Sequence, residues 1–372
     1  MSFQERQHHS VLCCCEYVDL NDERSHMLAC CCNCVDLDSC FDRLVTCKKI
    51  PSHTFTRLMA TVQDRIRFPW KGGATQIPLD SLLPIFLLPL LGYIAAHGVW
   101  ISVILFTTLP SFLIYIHYMF MRYNSPTKFF LIWTLMSIFL IFMIFEMAVV
   151  NLLDIRTDEN FSFIIITIIM LGCGCKTKLN AEWSYLKTDS KMEMSTCDET
   201  PLVCSDCRKR VSSRSYHCNI CHVCIVKRDL HCAWLNCCIG EKNHRWYLAT
   251  LISALAQTSL CSNLILTTAC HPFKVFGSFM LPDDCSDVYF DILYGVMFVT
   301  SVYCILVMIF LLILLINECW LISLGITGHE WRNSTRRSLC GLVSNRPYSK
   351  GFFSNWWEFF SGTEKNYTTL CI

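Results

Sequence analysis

Long apolar runs alternate with polar segments along the chain. The first run, 82–121, is about twice the roughly 20 residues that one spanning helix needs, and it predicts two spans that break near His97 and Gly98. Further apolar runs predict four more spans, at 129–150, 161–175, 248–269 and 290–316. The pattern therefore predicts an α-helical polytopic membrane protein with about six transmembrane helices.

The spans set the expected domain order and its orientation. This order is a Cys-rich N-terminal region, four spans, a small Cys/His-rich domain, two spans and a tail, at 1–80, 81–176, 177–247, 248–316 and 317–372. Lys and Arg favour the cytosolic ends of spans. They concentrate on the side of the termini and the Cys/His-rich domain, whereas the opposite loops hold chiefly Arg156 and Lys274. We therefore expect both termini and this domain to be cytosolic.

Composition supports a membrane protein: 53% of residues are hydrophobic and 16% are charged, against about 25% charged in soluble domains. The formal net charge of +1 predicts no nucleic-acid partner. There are 27 cysteines, and disulfide frameworks belong mainly to small secreted chains. Because the polar first residues show no secretory signal, we expect reduced thiols, zinc ligands or lipidated cysteines rather than disulfides.

The Cys/His-rich domain carries a metal-binding pattern. Structural zinc takes four Cys or His ligands, commonly beginning with a Cys-x-x-Cys turn, and two such turns occur at 204–207 and 218–221. The ligand spacing after the first turn recurs after the second with an offset of 14 residues. The repeat assigns one zinc to Cys204, Cys207, His217 and Cys224, and a second to Cys218, Cys221, His231 and Cys238. The two sites interleave, because the adjacent His217 and Cys218 bind different metals.

Two cysteines and two histidines are left outside the zinc sites: Cys232, Cys237, His222 and His244. Cys232 follows the zinc ligand His231, and Lys227, Arg228 and Lys242 are close to it in sequence. These neighbours predict a lowered pKa of the Cys232 thiol, and the thiolate is the nucleophilic form. Cys232 is therefore a candidate nucleophile; the alternative is a spare cysteine.

The segment 204–247 resembles the catalytic cysteine-rich domain of the DHHC protein S-acyltransferases, or palmitoyltransferases. Besides the eight zinc positions, the shared residues are Arg214, Asp229, Cys232, Trp234, Asn236, Gly240 and Asn243. Further along, 327–330 resembles the family's Thr-Thr-x-Glu motif, with Gly328 at the second Thr, and 351–356 resembles its C-terminal motif. The Cys-rich start at 12–17 is similar to the animal subfamily called DHHC-type twenty-three.

This resemblance implies a two-step reaction at a membrane. Cys232 would attack the thioester of a long-chain acyl-CoA, and the acyl-enzyme would pass its chain to a cysteine of a membrane-associated protein. Two Zn²⁺ ions would be structural, and the lipid bilayer would be a partner. The basic residues Lys227, Arg228, Lys242 and Arg245 would meet the CoA phosphates or form a solvated positive face. The implied location is a Golgi or endoplasmic reticulum membrane.

One departure from the family concerns the chemistry. The family tetrapeptide Asp-His-His-Cys reads Asp-Leu-His-Cys at 229–232. The replaced His is the general base that the Asp orients, and a positioned base contributes about 10²–10⁴-fold. One hypothesis is an acyltransferase with altered chemistry that keeps Cys232 and Asp229, with His222 or His244 as substitute bases. The other is a catalytically impaired zinc-bearing membrane scaffold.

The N-terminal cysteines have three interpretations. The runs at 13–15 and 30–32, with Cys34, Cys40 and Cys47, could bind a further zinc, be S-acylated or be unstructured thiols. Metal counting distinguishes the first interpretation, because a filled N-terminal site would give three zinc ions per chain instead of two.

Overall fold

The structure covers most of the chain after residue 79 and shorter pieces before it. The computed structural model describes residues 79–123, 127–152, 156–186, 203–208, 210–211, 214–276, 279–335 and 348–362, and nearer the N-terminus 13, 15–19, 22–26, 41–43, 45–46, 61, 64–69, 71 and 73–76. The cysteines at 30–32, 34, 40 and 47 lie outside these residues, so their three interpretations stay open. The chain forms two compact units, Met1–Phe86 and Leu87–Ile372.

The first unit contains two small antiparallel hairpins. Strands β1 (Glu16–Val18) and β2 (Arg24–His26) form one, and β3 (Arg67–Phe68) and β4 (Thr75–Gln76) form the other. The Arg67 guanidinium lies 3.9 Å from the centroid of the Tyr17 ring. It also bonds the Asp64 carboxylate. The cation–π contact joins the two hairpins, and the ion pair fixes the Arg67 side chain within its own segment.

Six apolar helices follow, and they confirm a polytopic membrane protein. They are α1 (Leu79–Ala95), α2 (Val99–Tyr123), α3 (Phe129–Ile144), α4 (Thr157–Leu179), α5 (His244–Ala269) and α6 (Ile292–Leu324). Among the described helices, five are long and apolar enough to cross a membrane. The sixth, α1, has 17 residues and is at the short end of the roughly 17–25 that span a bilayer. The predicted break near His97 and Gly98 is the connection between α1 and α2.

Helix ends differ from the apolar runs in the sequence. Helix α3 continues through a π-helical turn (Phe145–Val149) and a 3-10 turn (Val150–Leu152). Helix α6 extends beyond the apolar run, which ends at residue 316, and stops at Gly325, whose left-handed backbone has φ 72°. Glu318 therefore lies inside the last helix rather than in the tail. Its side chain is fully buried.

The helices of the second unit pack around a buried apolar cluster. Side chains with no exposed surface meet there from four helices: Phe145 follows α3, Phe163 belongs to α4, Ile265 to α5 and Met297 to α6. Tyr303 of α6 adds polar contacts to α3 by accepting from the Trp133 ring nitrogen at 3.1 Å and bonding the Ser137 hydroxyl at 2.7 Å. Both hydroxyl and indole are thereby satisfied inside the bundle.

A disulfide joins Cys270 to Cys285, which corrects the expectation that the cysteines are not disulfide-bonded. The two cysteines flank the antiparallel hairpin of β9 (His271–Phe276) and β10 (Phe279–Asp284) between α5 and α6. The hairpin brings their Cα atoms to 4.6 Å, within the range that a disulfide requires. The expectation was wrong here because it treated the chain as one redox environment.

The described part of the Cys/His-rich domain between α4 and α5 contains two short antiparallel hairpins. Strands β5 (Ser215–Cys218) and β6 (Val223–Val226) form the first, and β7 (Leu230–Cys232) and β8 (Cys237–Ile239) form the second. Gly240 follows β8 at a close approach: a Cβ there would lie 2.7 Å from Ile225 Cγ2 and 2.9 Å from the Val226 carbonyl oxygen. Among the described residues after α6, helices form at α7 (Gly328–Thr335) and α8 (Phe352–Ser361).

Candidate functional site

The first predicted zinc site is assembled by one hairpin and the turn before it. The ligand atoms of Cys204, Cys207, His217 and Cys224 all lie within 4.8 Å of one another. His217 Nδ1 is 3.1 Å from Cys207 Sγ and 3.8 Å from Cys224 Sγ. His217 and Cys224 are directly opposite each other in the β5–β6 register, so the hairpin itself brings these two ligands together.

The second predicted site has the same construction. The ligand atoms of Cys218, Cys221, His231 and Cys238 also lie within 4.8 Å of one another. His231 Nδ1 is 3.4 Å from the sulfurs of both Cys221 and Cys238. His231 and Cys238 face each other in the β7–β8 register, as His217 and Cys224 do in the first hairpin.

The repeat of 14 residues is visible in the backbone as well. Arg208 and His222, 14 residues apart, follow the second cysteine of each Cys-x-x-Cys turn, and both are left-handed, with φ 53° and 54°. Their amides donate to the carbonyls of Cys204 and Cys218 at 2.9 and 2.8 Å. Each site is therefore the same zinc-binding turn followed by the same hairpin. His222 belongs to this turn.

The donor sets fit tetrahedral zinc. Zn–S bonds of about 2.3 Å and Zn–N bonds of about 2.0–2.1 Å place neighbouring tetrahedral ligands about 3.6 Å apart. The sulfur–nitrogen distances of 3.1–3.9 Å bracket that value. Three thiolates and one imidazole per site leave no open position, which is characteristic of structural rather than catalytic zinc.

Cys232 lies where the second hairpin enters the helix bundle. It is 7% exposed and packs in a cluster with Cys237 and Tyr247, against Leu311 and Leu314 of α6. The turn after it carries Trp234, whose ring is 4.9 Å from Phe130 of α3 and 5.9 Å from Phe310 of α6, between centroids. The thiol is therefore surrounded by apolar side chains of the spanning helices.

The electrostatics of Cys232 differ from the sequence-based prediction. The pKa of the Cys232 thiol is raised to about 11, chiefly by burial; the amides of Leu235 and Trp234 lower it, and the Glu318 carboxylate adds a smaller rise. Basic neighbours in sequence are engaged elsewhere: Lys227 pairs with Glu241 at 3.2 Å. The sequence-based prediction overestimated the effect of these basic residues on the thiol, because their side chains bind other partners.

The other three basic candidates also have partners away from Cys232. Lys242 is 3.6 Å from Glu241, and Arg228 donates to the His217 carbonyl at 2.6 Å. Arg245 donates to the Phe360 carbonyl of α8 at 2.8 Å. The Lys242 side chain is 57% exposed and is therefore accessible to a solvent-borne anion.

Asp229 anchors the second hairpin to the segment after α6. Its Oδ1 accepts from the Gly328 amide, and its carbonyl accepts from Arg332 at 2.7 Å. A Cβ at Gly328 would lie 3.0 Å from Asp229 Oδ1, so the residue that replaces the family's second Thr permits this approach. The Asp229 Oδ2 atom is buried and has no hydrogen-bond partner among the described residues.

His244 and Glu318 complete a buried group that the sequence did not predict. One ligand atom each of Asp229, His244 and Glu318 lies within 4.8 Å of the others. His244 Nε2 is 3.0 Å from Glu318 Oε2. Glu318 was missed because the apolar run ends before it, although a carboxylate next to an apolar run is itself a signal. Of the two substitute bases, His244 is thus the one brought to Asp229.

The Thr-Thr-x-Glu-like segment binds the zinc domain through an ion pair. Arg214 donates to both carboxylate oxygens of Glu330, at 2.7 and 2.8 Å, and also to the Gly325 carbonyl. Glu330 accepts from the Thr327 amide at 2.8 Å. The two side chains are 17% and 13% exposed, so this bidentate pair is largely removed from water.

The C-terminal motif docks on the end of α6. Asn355 donates to the Ser323 carbonyl at 2.9 Å and accepts from the Lys350 amide, and the Trp356 ring nitrogen donates to the Ser323 hydroxyl. Phe359 of α8 makes an edge contact with His244 at 5.1 Å between ring centroids. Helix α8 therefore covers the buried group that includes Asp229.

Comparison with known proteins decides the family. Residues 198–335 match the family model described as DHHC palmitoyltransferase. Over 402 residues the chain is 32% identical to Palmitoyltransferase ZDHHC23-B of Danio rerio, covering 95% of this chain and 93% of that protein. The chain belongs to the DHHC palmitoyltransferase family. It is also 28% identical to Palmitoyltransferase ZDHHC23 of Rattus norvegicus, over 94% of this chain and 92% of the relative.

A more distant relative matches a smaller part of the chain. Palmitoyltransferase erf2 of Schizosaccharomyces pombe is 31% identical over 159 residues, which is 40% of this chain and 43% of that protein. The resemblance found in the sequence is thus confirmed, both for the family and for its subfamily. As a DHHC family member, the chain is a protein S-acyltransferase of the membrane.

Proposed function

We propose that this DHHC protein moves a long-chain acyl group from acyl-CoA through Cys232 to cysteines of membrane-associated proteins. The Cys232 thiolate attacks the thioester carbonyl carbon, the carbon–sulfur bond to CoA breaks, and the CoA thiol leaves with a proton. The acceptor thiolate then attacks the Cys232 thioester and regenerates the free thiol. The main support for this proposal is the position of the Cys232 thiol, which is buried between the second hairpin and the apolar helices.

The apolar surroundings of Cys232 suit an acyl chain. Leu311, Leu314 and Leu315 of α6 are half-buried beside the cluster, and Trp234 lies against the aromatic rings of α3 and α6. Burying a methylene stabilises the complex by about 0.8 kcal/mol. A long acyl chain on Cys232 would therefore extend among the spans. Its thioester would then lie at the membrane, where membrane-bound protein substrates can reach it.

Two zinc ions would hold the hairpins that carry the reactive strand. His231 and Cys238, both ligands of the second site, flank the Cys232–Cys237 register pair. Zinc would supply folding energy here, as closed sites do. Asp229 acts as a positioning residue through Gly328 and Arg332. Acyl-CoA enters as co-substrate, and the exposed Lys242 is a basic side chain that its phosphates can reach.

His244 is the proposed proton acceptor in place of the missing histidine. It shares a buried group with Asp229 and Glu318, next to the strand that holds Cys232. The Asp229 and Glu318 carboxylates would stabilise the imidazolium once it takes a proton. This arrangement keeps an Asp–His pair while position 230 is leucine.

Redox chemistry and charge support the proposed membrane orientation. Disulfides persist in oxidising compartments such as the lumen of the endoplasmic reticulum, so the Cys270–Cys285 hairpin supports a lumenal loop between α5 and α6. The zinc domain at the other end of α5 would then be cytosolic, as would both termini. This supports a Golgi or endoplasmic reticulum membrane and substrates with cytosolic cysteines.

The test uses purified full-length protein and labelled palmitoyl-CoA. We expect hydroxylamine-sensitive label on the wild type and none on Cys232→Ala, with two zinc ions per chain in both. Equal labelling of the two proteins would contradict the role of Cys232. No label on the wild type, together with label after Leu230→His, would instead identify an impaired scaffold.

A further inference from the structure

The second hairpin carries a free thiol directly opposite Cys232. In the β7–β8 register Cys232 pairs with Cys237, one step beyond the zinc-bound pair His231 and Cys238. Residues directly opposite in an antiparallel pair project to the same face, with Cβ atoms about 4.5–5.5 Å apart. Cys237 is not a ligand of either zinc site, and it is a free cysteine.

Both thiols share one apolar environment. Cys232 is 7% exposed and Cys237 is 4% exposed, and both belong to the cluster that packs against Leu311 and Leu314 of α6. An acyl chain attached to either sulfur would therefore meet the same side chains. Separations of this size between Cβ atoms let one sulfur reach the carbonyl carbon bonded to the other.

We infer that Cys237 is a second acyl-bearing thiol, which exchanges the acyl group with Cys232. The Cys237 thiolate attacks the carbonyl carbon of the Cys232 thioester, the carbon–sulfur bond to Cys232 breaks, and the released Cys232 thiolate takes up the proton that Cys237 lost. One thioester replaces another, so the step needs no oxidant, reductant or second acyl-CoA. The reverse step returns the chain to Cys232.

This inference rests on the proposed function, because Cys232 must first be loaded from acyl-CoA. The two thioesters contain the same bonds and lie in the same cluster, so their populations should differ by less than about tenfold, which corresponds to about 1.4 kcal/mol. Both forms should therefore be detectable in a loaded sample. Position 237 is also an unusual place for a thiol, since it immediately precedes a zinc ligand.

The experiment is acyl mapping on the full-length protein in lipid nanodiscs. The protein is loaded with palmitoyl-CoA and unfolded in acid, which stops thiolate exchange. It is then brought to neutral pH in excess N-ethylmaleimide, which alkylates the free thiols. Trypsin cleaves after Arg228 and Lys242, and peptide fragmentation locates the acyl group within 229–242. We expect two isomeric acyl peptides from the wild type, one modified at Cys232 and one at Cys237.

The variants separate this inference from the proposed function. Cys237→Ser should carry acyl only at Cys232, and Cys232→Ser should carry none at either position. Acyl confined to Cys232 in the wild type at all times, or acyl on Cys237 in Cys232→Ser, would overturn the exchange while leaving the proposed function standing in the first case. No acyl on the wild type or on Cys237→Ser would contradict the proposed function itself.

One further variant and one control thiol guard against misfolding and nonspecific acylation. Cys237→Ala repeats the Cys237→Ser test with a residue that introduces no hydroxyl into the apolar cluster, and both should retain two zinc ions. Cys261 is a buried free thiol in the cluster that contains Phe145 and Ile265, away from Cys232, and it serves as the control for Cys237. We expect no acyl group on Cys261, and acylation there at the level of Cys237 would refute site-specific exchange.

Discussion

Replacing Leu230 by histidine should accelerate acylation of Cys232. Leu230 lies two residues before Cys232 in β7, half-buried against the cluster that holds the thiol. The neighbouring Asp229 keeps one carboxylate oxygen, Oδ2, without a partner among the described residues. An imidazole at position 230 can donate one ring N–H to this oxygen and present its other nitrogen as a base.

The expected gain is about 10²-fold in the rate of acyl-enzyme formation, at the lower end of the 10²–10⁴-fold that a positioned base contributes. The lower end applies because the wild type already has His244 as its proposed proton acceptor. The substitution also removes the half-buried Leu230 side chain. Fully burying a leucine stabilises the fold by about 1.5–3 kcal/mol, so the loss of a half-buried one should lower the free energy of unfolding by about 1 kcal/mol.

The assay is single-turnover incorporation of labelled palmitate by Leu230→His and wild-type protein under identical conditions. Leu230→Gln is the matched control, because it is polar but cannot act as a base, and it should not exceed the wild-type rate. His244→Gln should slow the wild type and have a smaller effect once Leu230→His is present. An unchanged rate in Leu230→His, with both zinc ions retained, would refute the reasoning.

Three further outcomes follow from the contacts. Glu330→Gln leaves Arg214 buried without its charged partner and should lower the free energy of unfolding by about 3 kcal/mol, seen as a lower melting temperature; an unchanged melt would contradict this. Gly240→Ala forces a methyl group against Ile225 and should cost about 1–3 kcal/mol in the same measurement. His231→Ala should reduce the zinc content from two ions to one and abolish acylation, and full zinc content would disprove the ligand assignment.

The two Cys/His clusters were predictable from sequence because the constraint is local. Each site is a turn and a hairpin of fewer than 25 residues, and the second copies the first at an offset of 14. His217 and His231 therefore fall opposite their cysteine partners without help from the rest of the fold. The six apolar helices were predictable for a similar reason, since composition over about 20 residues decides them.

The buried group around Asp229 could not be predicted from sequence. His244 begins α5 and Glu318 lies near the end of α6, so only the packing of the two helices brings their side chains together at 3.0 Å. The predicted lowering of the Cys232 pKa was wrong for a related reason: the basic residues near it in sequence bind other partners. The Cys270–Cys285 disulfide was not predicted, because the redox environment of a loop depends on the side of the membrane on which it lies.

The central claim is that an acyl group passes through Cys232 to another protein. The most direct test loads the purified protein with labelled palmitoyl-CoA, removes the CoA, and adds a membrane-tethered peptide with one cysteine. The account predicts that label leaves Cys232 and appears on the peptide at the same rate, as a hydroxylamine-sensitive thioester. Label that stays on the protein, or is released only as free fatty acid, would contradict it.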